Sequence, residues 1–368
     1  MKIAINALPY TSWQGIEIFL SGLLQNWPNN SEDEVIVFAN EKSAEFLKSA
    51  PSHIKIIVIS FSKLNKKNIF IHQQLSFHKI LKRNKIDILF CPSLMTPWFF
   101  KKKIITIHDA APFTVKDETS WLGKMFWKIN LIPAKLWSKK IVTVSEFSRQ
   151  ELINKLGIRA NKVDVIGVSA LPPLEIDETT KEEVLKKLSL IDSPYFITVG
   201  NARTRKNLSQ LISAFNTFHK KHPNTKLVVV GKLDHRMQEL KKKANNKNII
   251  FTGFISDLEK TILMSSAQAL VFPSYYEGFG IPIIESQQLD TPVVCSDIPA
   301  FKEVAKESAI FFNPFDTSSI NKSLEEIHHN KDLRHKLIEM GRDNYTRYSW
   351  DKIVDRLLNI IKDENTTS

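Results

Sequence analysis

Short apolar runs rich in Val, Ile and Phe alternate along the chain with longer segments in which apolar residues recur every three or four positions. Strand-length runs separated by helix-period segments are the pattern of βαβ units, where each crossover helix covers one face of a parallel sheet. The first series predicts strands at 2–7, 34–39, 54–60, 86–91, 104–107 and 140–144, closing near 163–168, with helices at 17–27, 43–48, 70–82 and 145–156. Ser145 stands where an N-cap belongs, its hydroxyl placed to accept from a free N–H of the first turn. ALPPLEIDETT at 170–180 then breaks the rhythm with paired prolines and acidic residues, as a linker does. A second series follows, with strands at 195–199, 226–230, 248–252, 269–272, 292–296 and 309–312, helices including 208–220, 257–265 and 281–289, and a helix-period tail over 331–361. The expectation is an α/β protein of two Rossmann-like, doubly wound parallel-sheet domains, at 1–172 and 173–346, with a last helical segment over 347–368.

Length supports two domains, because 368 residues exceed what one hydrophobic core usually holds. The apolar fraction of 43% with 24% charged residues is that of a water-soluble globular chain. No run approaches the ~18–20 consecutive apolar residues of a membrane span. The opening MKIAINALPY passes directly into a strand pattern rather than an apolar leader, so a cytoplasmic location is expected. Cys91 and Cys295 each lie in or at the end of an apolar run and are expected as buried small hydrophobes, not as a disulfide framework. The net charge of +12 is compatible with nucleic acid, an anionic membrane surface or phosphorylated ligands. Its lysines, Lys66, Lys101, Lys181 and Lys241 among them, are scattered as on a solvated surface, and no basic stripe is interleaved with aromatics, so nucleic acid is not an expected partner. The segment 121–140, WLGKMFWKINLIPAKLWSKK, mixes Trp121, Phe126, Trp127 and Trp137 with lysines. It reads either as a face lying on an anionic leaflet or as a core helix broken at Pro133.

Ligands of open α/β sheets bind outside the carboxyl ends of the strands, so chemistry is sought just after each one. The richest such place is 271–297, VFPSYYEGFGIPIIESQQLDTPVVCSD. A strand ends near Phe272, and a loop with Glu277, Gly278, Phe279 and Gly280 leads into a helix from Ile281 with Pro282 in its first turn. The glycines permit close backbone approach, and a helix start favours an anionic group such as a diphosphate. Glu277 before the helix and Glu285 one turn inside it can reach different parts of one extended ligand, although glutamates are also favoured near helix starts by the macrodipole. The second place is 199–208, VGNARTRKNL, where Gly200 and Asn201 end a strand and Arg203, Arg205 and Lys206 precede a helix. Clustered cations there suit a pyrophosphate whose charge grows as it departs. The third is IITIHDAAP at 104–112, which puts His108 and Asp109 at a strand end, where Asp109 could equally cap a turn.

EGFGIPIIE after an apolar strand, followed by TPVVCSD, resembles the Glu-x7-Glu region of family 4 retaining glycosyltransferases, the "glycosyl transferases group 1". That resemblance implies the GT-B fold, two Rossmann-like domains facing each other across a cleft, with the acceptor on the first and the nucleotide-sugar donor on the second. It implies that Glu277 bonds hydroxyls of the donor sugar, that Glu285 grips the ribose, that Arg205 and Lys206 contact the diphosphate, and that His108 touches the sugar. Gly15, Gly200, Asn201, Arg203, Gly278, Phe279, Gly280 and Ile281 complete the implied donor site. WQGIEIFLSGLL at 13–24 is similar to the family's first loop and helix but keeps only Gly15 of its glycines, and Asn201 stands where many members have an arginine. VSEFSRQELI at 144–153 matches a common strand-to-helix transition, and the segment from Tyr348 to Trp350 opens a helix that in the family crosses back onto the first domain.

The implied reaction is transfer of a mannosyl or similar hexosyl group, with retention, to a glycan or lipid-linked acceptor in bacterial surface polysaccharide synthesis. No carboxylate is evident for a covalent double displacement, so front-face attack assisted by the leaving diphosphate is expected. Metal is not expected to be required, since no Asp-x-Asp pair stands beside a strand end and cations can take its place. A sugar-nucleotide epimerase or hydrolase of the same architecture is the alternative, followed by a basic nucleic-acid-binding protein. Neither Gly15 nor Gly200 belongs to a G-x-G-x-x-G turn, which argues against a nicotinamide oxidoreductase.

Overall fold

The structure is a computed structural model that describes residues 1–10, 15–29, 32–116 and 118–366. The chain divides into two compact units, Met1–Ser169 together with Tyr348–Ser368, and Ala170–Arg347. The first boundary thus falls at 169/170 rather than 172/173.

The described residues of the first unit hold seven strands: β1 (Lys2–Asn6), β2 (Glu34–Ala39), β3 (Lys55–Val58), β4 (Ile88–Cys91), β5 (Lys103–Thr106), β6 (Lys140–Thr143) and β7 (Val163–Val165). They form one parallel sheet in the order β3-β2-β1-β4-β5-β6-β7. The order reverses between β1 and β4, where Ile5 pairs with Val37 on one side and Phe90 on the other. Burial on both faces explains why β1, β2 and β4 read as near-continuous apolar runs. Cys91 is a free thiol buried in this core, and Cys295 is another in the second unit.

Helix Trp350–Thr366 completes the first unit from the far end of the chain. Its Trp350, Ile353, Val354, Leu357, Leu358 and Ile361 recur every three or four residues and are buried. Trp350 lies against helix Gly15–Gln25, where a Cβ added to Gly22 would sit 2.1 Å from the indole, so only glycine leaves room. Phe19 packs on the same ring at 6.1 Å between centroids. Ser169 Oγ donates to Tyr348 O at 2.7 Å, tying the start of the returning segment to the end of the first stretch.

The second unit holds β8 (Tyr195–Val199), β9 (Lys226–Val230), β10 (Ile249–Gly253), β11 (Ala269–Phe272), β12 (Val293–Ser296) and β13 (Ala309–Phe312). These are parallel in the order β10-β9-β8-β11-β12-β13, reversing between β8 and β11. Phe196, Phe215, Phe218 and Ile327 belong to its core.

Three local expectations are corrected. The polar stretch expected as linker to 180 ends earlier, because Asp177 accepts from Thr180 N and caps helix Glu178–Lys187. The helix expected over 70–82 begins at Lys66, capped by Asn65, and passes through a π-helical turn at Gln73–Phe77. Pro133 does not break its segment: helix Trp121–Trp137 is continuous, with Pro133 buried inside it.

Candidate functional site

The strand-order reversal of the second unit gathers the two segments singled out by sequence. Pairing of β8 with β11 covers Phe196 with Ala269 and Ile197 with Leu270, and the loops that follow these strands, 200–207 and 273–280, open beside each other. Backbone and side-chain bonds join them. Arg205 O accepts from Tyr275 N at 2.9 Å, and Arg205 Nη1 donates to Tyr276 O at 3.1 Å. Asn207, in the left-handed region at φ 55°, donates to Pro273 O at 3.1 Å and Pro314 O at 2.7 Å while starting helix Leu208–His219.

Glu277 is seated between the two cations of the facing loop, with Oε2 at 2.5 Å from Arg205 Nη1 and Oε1 at 2.6 Å from Lys206 Nζ. Lys206 also stands 4.9 Å above the Phe272 ring. Burial alone would raise the Glu277 pKa; the fields of Lys206 and Arg205 outweigh it and hold the carboxyl at about 2. One anion thus lies between two cations, all three little exposed to water, at the carboxyl end of the sheet.

Gly280 caps the next helix, Ile281–Gln288, at φ +119°, and a Cβ there would meet Phe301 at 2.9 Å, so glycine is demanded twice over. Gly278 and the Phe279 side chain are buried beside it. Glu285, inside this helix, accepts from Lys260 Nζ at 3.0 Å. Burial disfavours the Lys260 ammonium, but the Glu285 carboxylate more than compensates and raises its pKa. Asn201 Oδ1 accepts from Arg203 N at 3.2 Å and shapes the turn, while the Arg203 side chain is exposed.

In the first unit His108 follows β5. Its Nε2 lies 2.9 Å from Pro92 O, just past β4, so Nε2 carries the proton and Nδ1 the lone pair of the neutral ring. Burial lowers its pKa, which keeps the imidazole neutral near pH 7. Phe19 meets the ring edge-on at 5.0 Å, and Ser148 Oγ donates to His108 O at 3.0 Å. Ser148 is itself placed by the Ser145 cap, whose Oγ accepts from Ser148 N at 2.9 Å. Asp109 Oδ1 accepts from Ala111 N at 2.8 Å, the turn-capping arrangement. Gly15 opens helix Gly15–Gln25 with nothing within 4 Å of an added Cβ; Trp13 and Gln14 lie outside the described residues.

The second unit therefore brings Arg205, Lys206 and Glu277 into contact and places Gly278 to Glu285 next to them in one loop and helix. Lys260 and Asn207 were not singled out by sequence. Lys260 has the look of an ordinary helix-surface lysine, whereas Asn207 before an apolar helical run is a legible start signal.

Comparison with known proteins gives this arrangement a family. Residues 180–344 match the family described as glycosyl transferases group 1, and residues 13–167 match glycosyltransferase family 4. The O-antigen chain mannosyltransferase RfbU of Salmonella typhimurium is 30% identical over 273 residues, which cover 72% of this chain and 70% of the relative. The chain belongs to glycosyltransferase family 4. This glycosyltransferase is also 26% identical over 283 residues to the O-antigen chain mannosyltransferase B of Escherichia coli, covering 74% of this chain and 73% of that one. The crystal structure of Anabaena Alr3699/HepE in complex with UDP-glucose superposes with a TM-score of 0.75 at 14% identity, over 99% of this chain and 100% of that one. Its two Rossmann-like parallel-sheet units give the enzyme the GT-B fold. Among its described residues no helix is long and apolar enough to cross a membrane.

Proposed function

We propose that this glycosyltransferase moves a mannosyl or similar hexosyl group, with retention of configuration, from a nucleotide-diphosphate sugar to a glycan or lipid-linked acceptor during bacterial surface-polysaccharide synthesis. The observation that carries the reading is the little-exposed Arg205–Glu277–Lys206 cluster at the β8/β11 reversal, beside the start of helix Ile281–Gln288. Two cations of low exposure at the carboxyl ends of the strands suit two phosphates, and they stabilise most when the diphosphate gains charge as a leaving group. Glu285 is assigned to the ribose hydroxyls, Glu277 to hydroxyls of the sugar, and His108, with its Nδ1 lone pair, to the sugar as the family resemblance implies. The names of the two mannosyltransferase relatives and the UDP-glucose bound to the Anabaena protein support the donor and product classes.

Incubation with nucleotide sugars, with and without acceptor, tests the proposal. Transfer should require the acceptor and keep the anomeric configuration, and it should persist in EDTA because the two cations take the part of a metal. Lys206→Ala should lower kcat by about 100-fold or more, and Glu285→Ala should lower kcat/KM for the donor by a similar factor, chiefly through KM, while the protein stays folded. Donor consumption that ignores the acceptor would instead identify an epimerase or hydrolase.

The proposal extends to peripheral contact with an anionic membrane. Trp121, Leu122, Met125, Ile129, Ile132 and Leu136 are 40 to 71% exposed and fall within about 100° of the surface of helix Trp121–Trp137. Lys124 and Lys128 border that stripe, and Phe99 stacks on Trp137 at its end. Apolar insertion flanked by lysines favours an anionic leaflet. The protein should co-sediment with phosphatidylglycerol vesicles and not with phosphatidylcholine vesicles, and Ile129→Glu with Ile132→Glu should abolish the binding. Equal binding to both vesicle types, or none by the wild type, would count against it.

A further inference from the structure

On the second unit, helix Thr317–His329 and helix Leu208–His219 lie packed together through Phe215, Phe218, Ile320, Leu324 and Ile327. Both end at the same place. The negative ends of two helix dipoles meet at that corner and favour a cation. Glu325 and His329, at i and i+4, share one face of their helix, and His222 reaches the same spot from the turn after the other. His222 Nε2 is 2.7 Å from Glu325 Oε2, His329 Nε2 is 3.5 Å from the same oxygen, and one donor atom of each residue lies within 4.8 Å of the others. Glu325 Oε1 is shielded from water and accepts no hydrogen bond; its nearest cation is Lys221 Nζ at 3.4 Å, on a side chain 70% exposed.

We propose that His222, Glu325 and His329 form a binding site for a divalent transition ion, zinc being the best fit. Two imidazole nitrogens and one carboxylate oxygen are a borderline donor set that suits zinc and not the oxygen-seeking magnesium or calcium. Tetrahedral zinc, with bonds of about 2.0–2.2 Å, needs donor atoms about 3.3–3.5 Å apart. The His329 pair already spans that distance, and His222 and Glu325 need separate by less than 1 Å to reach it, roughly. His329, at 64% exposed, leaves the fourth position open to water. Lys221 is the competing cation and can swing into solvent; Arg334 is committed to the carbonyls of Ile327 and His328.

The site is remote from the proposed chemistry. Helix Leu208–His219 is about 18 Å long, and Arg205 and Lys206 precede its other end. A bound ion would pin that helix to its neighbour and so stiffen the element from which the cationic loop springs, without taking part in transfer.

Full-length protein freed of metal with a chelator would be titrated with zinc chloride by calorimetry and by thermal unfolding. One zinc per chain and a rise of several degrees in Tm are expected, with no such rise from magnesium chloride. His329→Ala, an exposed change that spares the packing, and Glu325→Gln should each weaken zinc binding by tenfold or more and remove the Tm rise. His222→Ala is less suitable because its ring packs at 4.4 Å on Phe218. Unchanged zinc affinity in His329→Ala, or no Tm rise in the wild type, would overturn the proposal.

Discussion

Glu277 meets its two cations in direct contact, and that geometry has a consequence for pH. Its folded pKa of about 2 lies below the ordinary 4.5, so the ionised form is the one the folded state favours. The stabilisation is present above pH 4.5 and drains away as pH falls through 4.5 toward 2. Glu277→Gln leaves Arg205 and Lys206 without their anion and should lower the Tm at pH 7. The gap in Tm between wild type and variant should then shrink as the pH is lowered through that window, which scanning calorimetry at a series of pH values would detect; a constant gap would refute the assignment. Lys260 acts differently, since it holds Glu285 from the side at 3.0 Å. Lys260→Met keeps most of the apolar stem and removes the charge, so Glu285 loses its orientation toward the ribose. KM for the donor should rise by about tenfold with kcat little changed, because the ribose is bound alike in the ground and transition states. A fall in kcat at unchanged KM would mean that Lys260 serves the chemistry instead.

At the level of elements, what could be read from sequence is what depends on local pattern. Strands of four to six apolar residues ended by glycine or asparagine, and the loop-to-helix segments EGFGIPIIE and VGNARTRKNL, carry their signal in consecutive residues, and they stand in the structure as strand, loop and helix. The partner of Glu285 could not be read, because Lys260 lies on another helix 25 positions away and a lone lysine there resembles a solvated one. Glu178–Lys187 was obscured by polarity: ETTKEEVLKK buries little besides Val184, so its helicity comes from its Asp177 cap and its helix-forming residues. Pro133 misleads for the opposite reason, since the local rule against a helix-interior proline is outweighed by tertiary packing of the face that holds Pro133 and Ala134. Close approach of two helices is equally silent in sequence, and it makes a sharp prediction at Gly22. Gly22→Ala places a methyl carbon where the Trp350 indole already is, so it should cost about 1–3 kcal/mol and loosen amide protection across helix Trp350–Thr366. Adding Trp350→Leu should recover part of that loss if the two positions are coupled through this contact. Additive effects of the two changes would show that they are not.

Taken whole, the chain passes between its units twice, at 169/170 and again at 347/348, so the first unit is assembled from both ends of the sequence. Its last 21 residues supply Trp350, Ile353, Val354, Leu357, Leu358 and Ile361, all buried, to a core whose other residues come from 1–169. Burial of a large apolar side chain contributes roughly 1.5–3 kcal/mol, and six of them together match the entire margin of about 5–15 kcal/mol that keeps a domain folded. The second unit has no such dependence, for its core from Phe196 to Leu337 lies wholly within 170–347. A chain ending at Arg347 should therefore keep a cooperative unfolding transition for the second unit and lose the one for the first. Hydrogen exchange should show protection retained across β8 to β13 and largely lost across β1 to β7. A nucleoside diphosphate should still raise the surviving transition, because the Arg205–Glu277–Lys206 cluster and Glu285 stay within the intact unit. Full protection of β1 to β7 in the shortened chain would show that the returning helix is a dispensable cover and not part of the core.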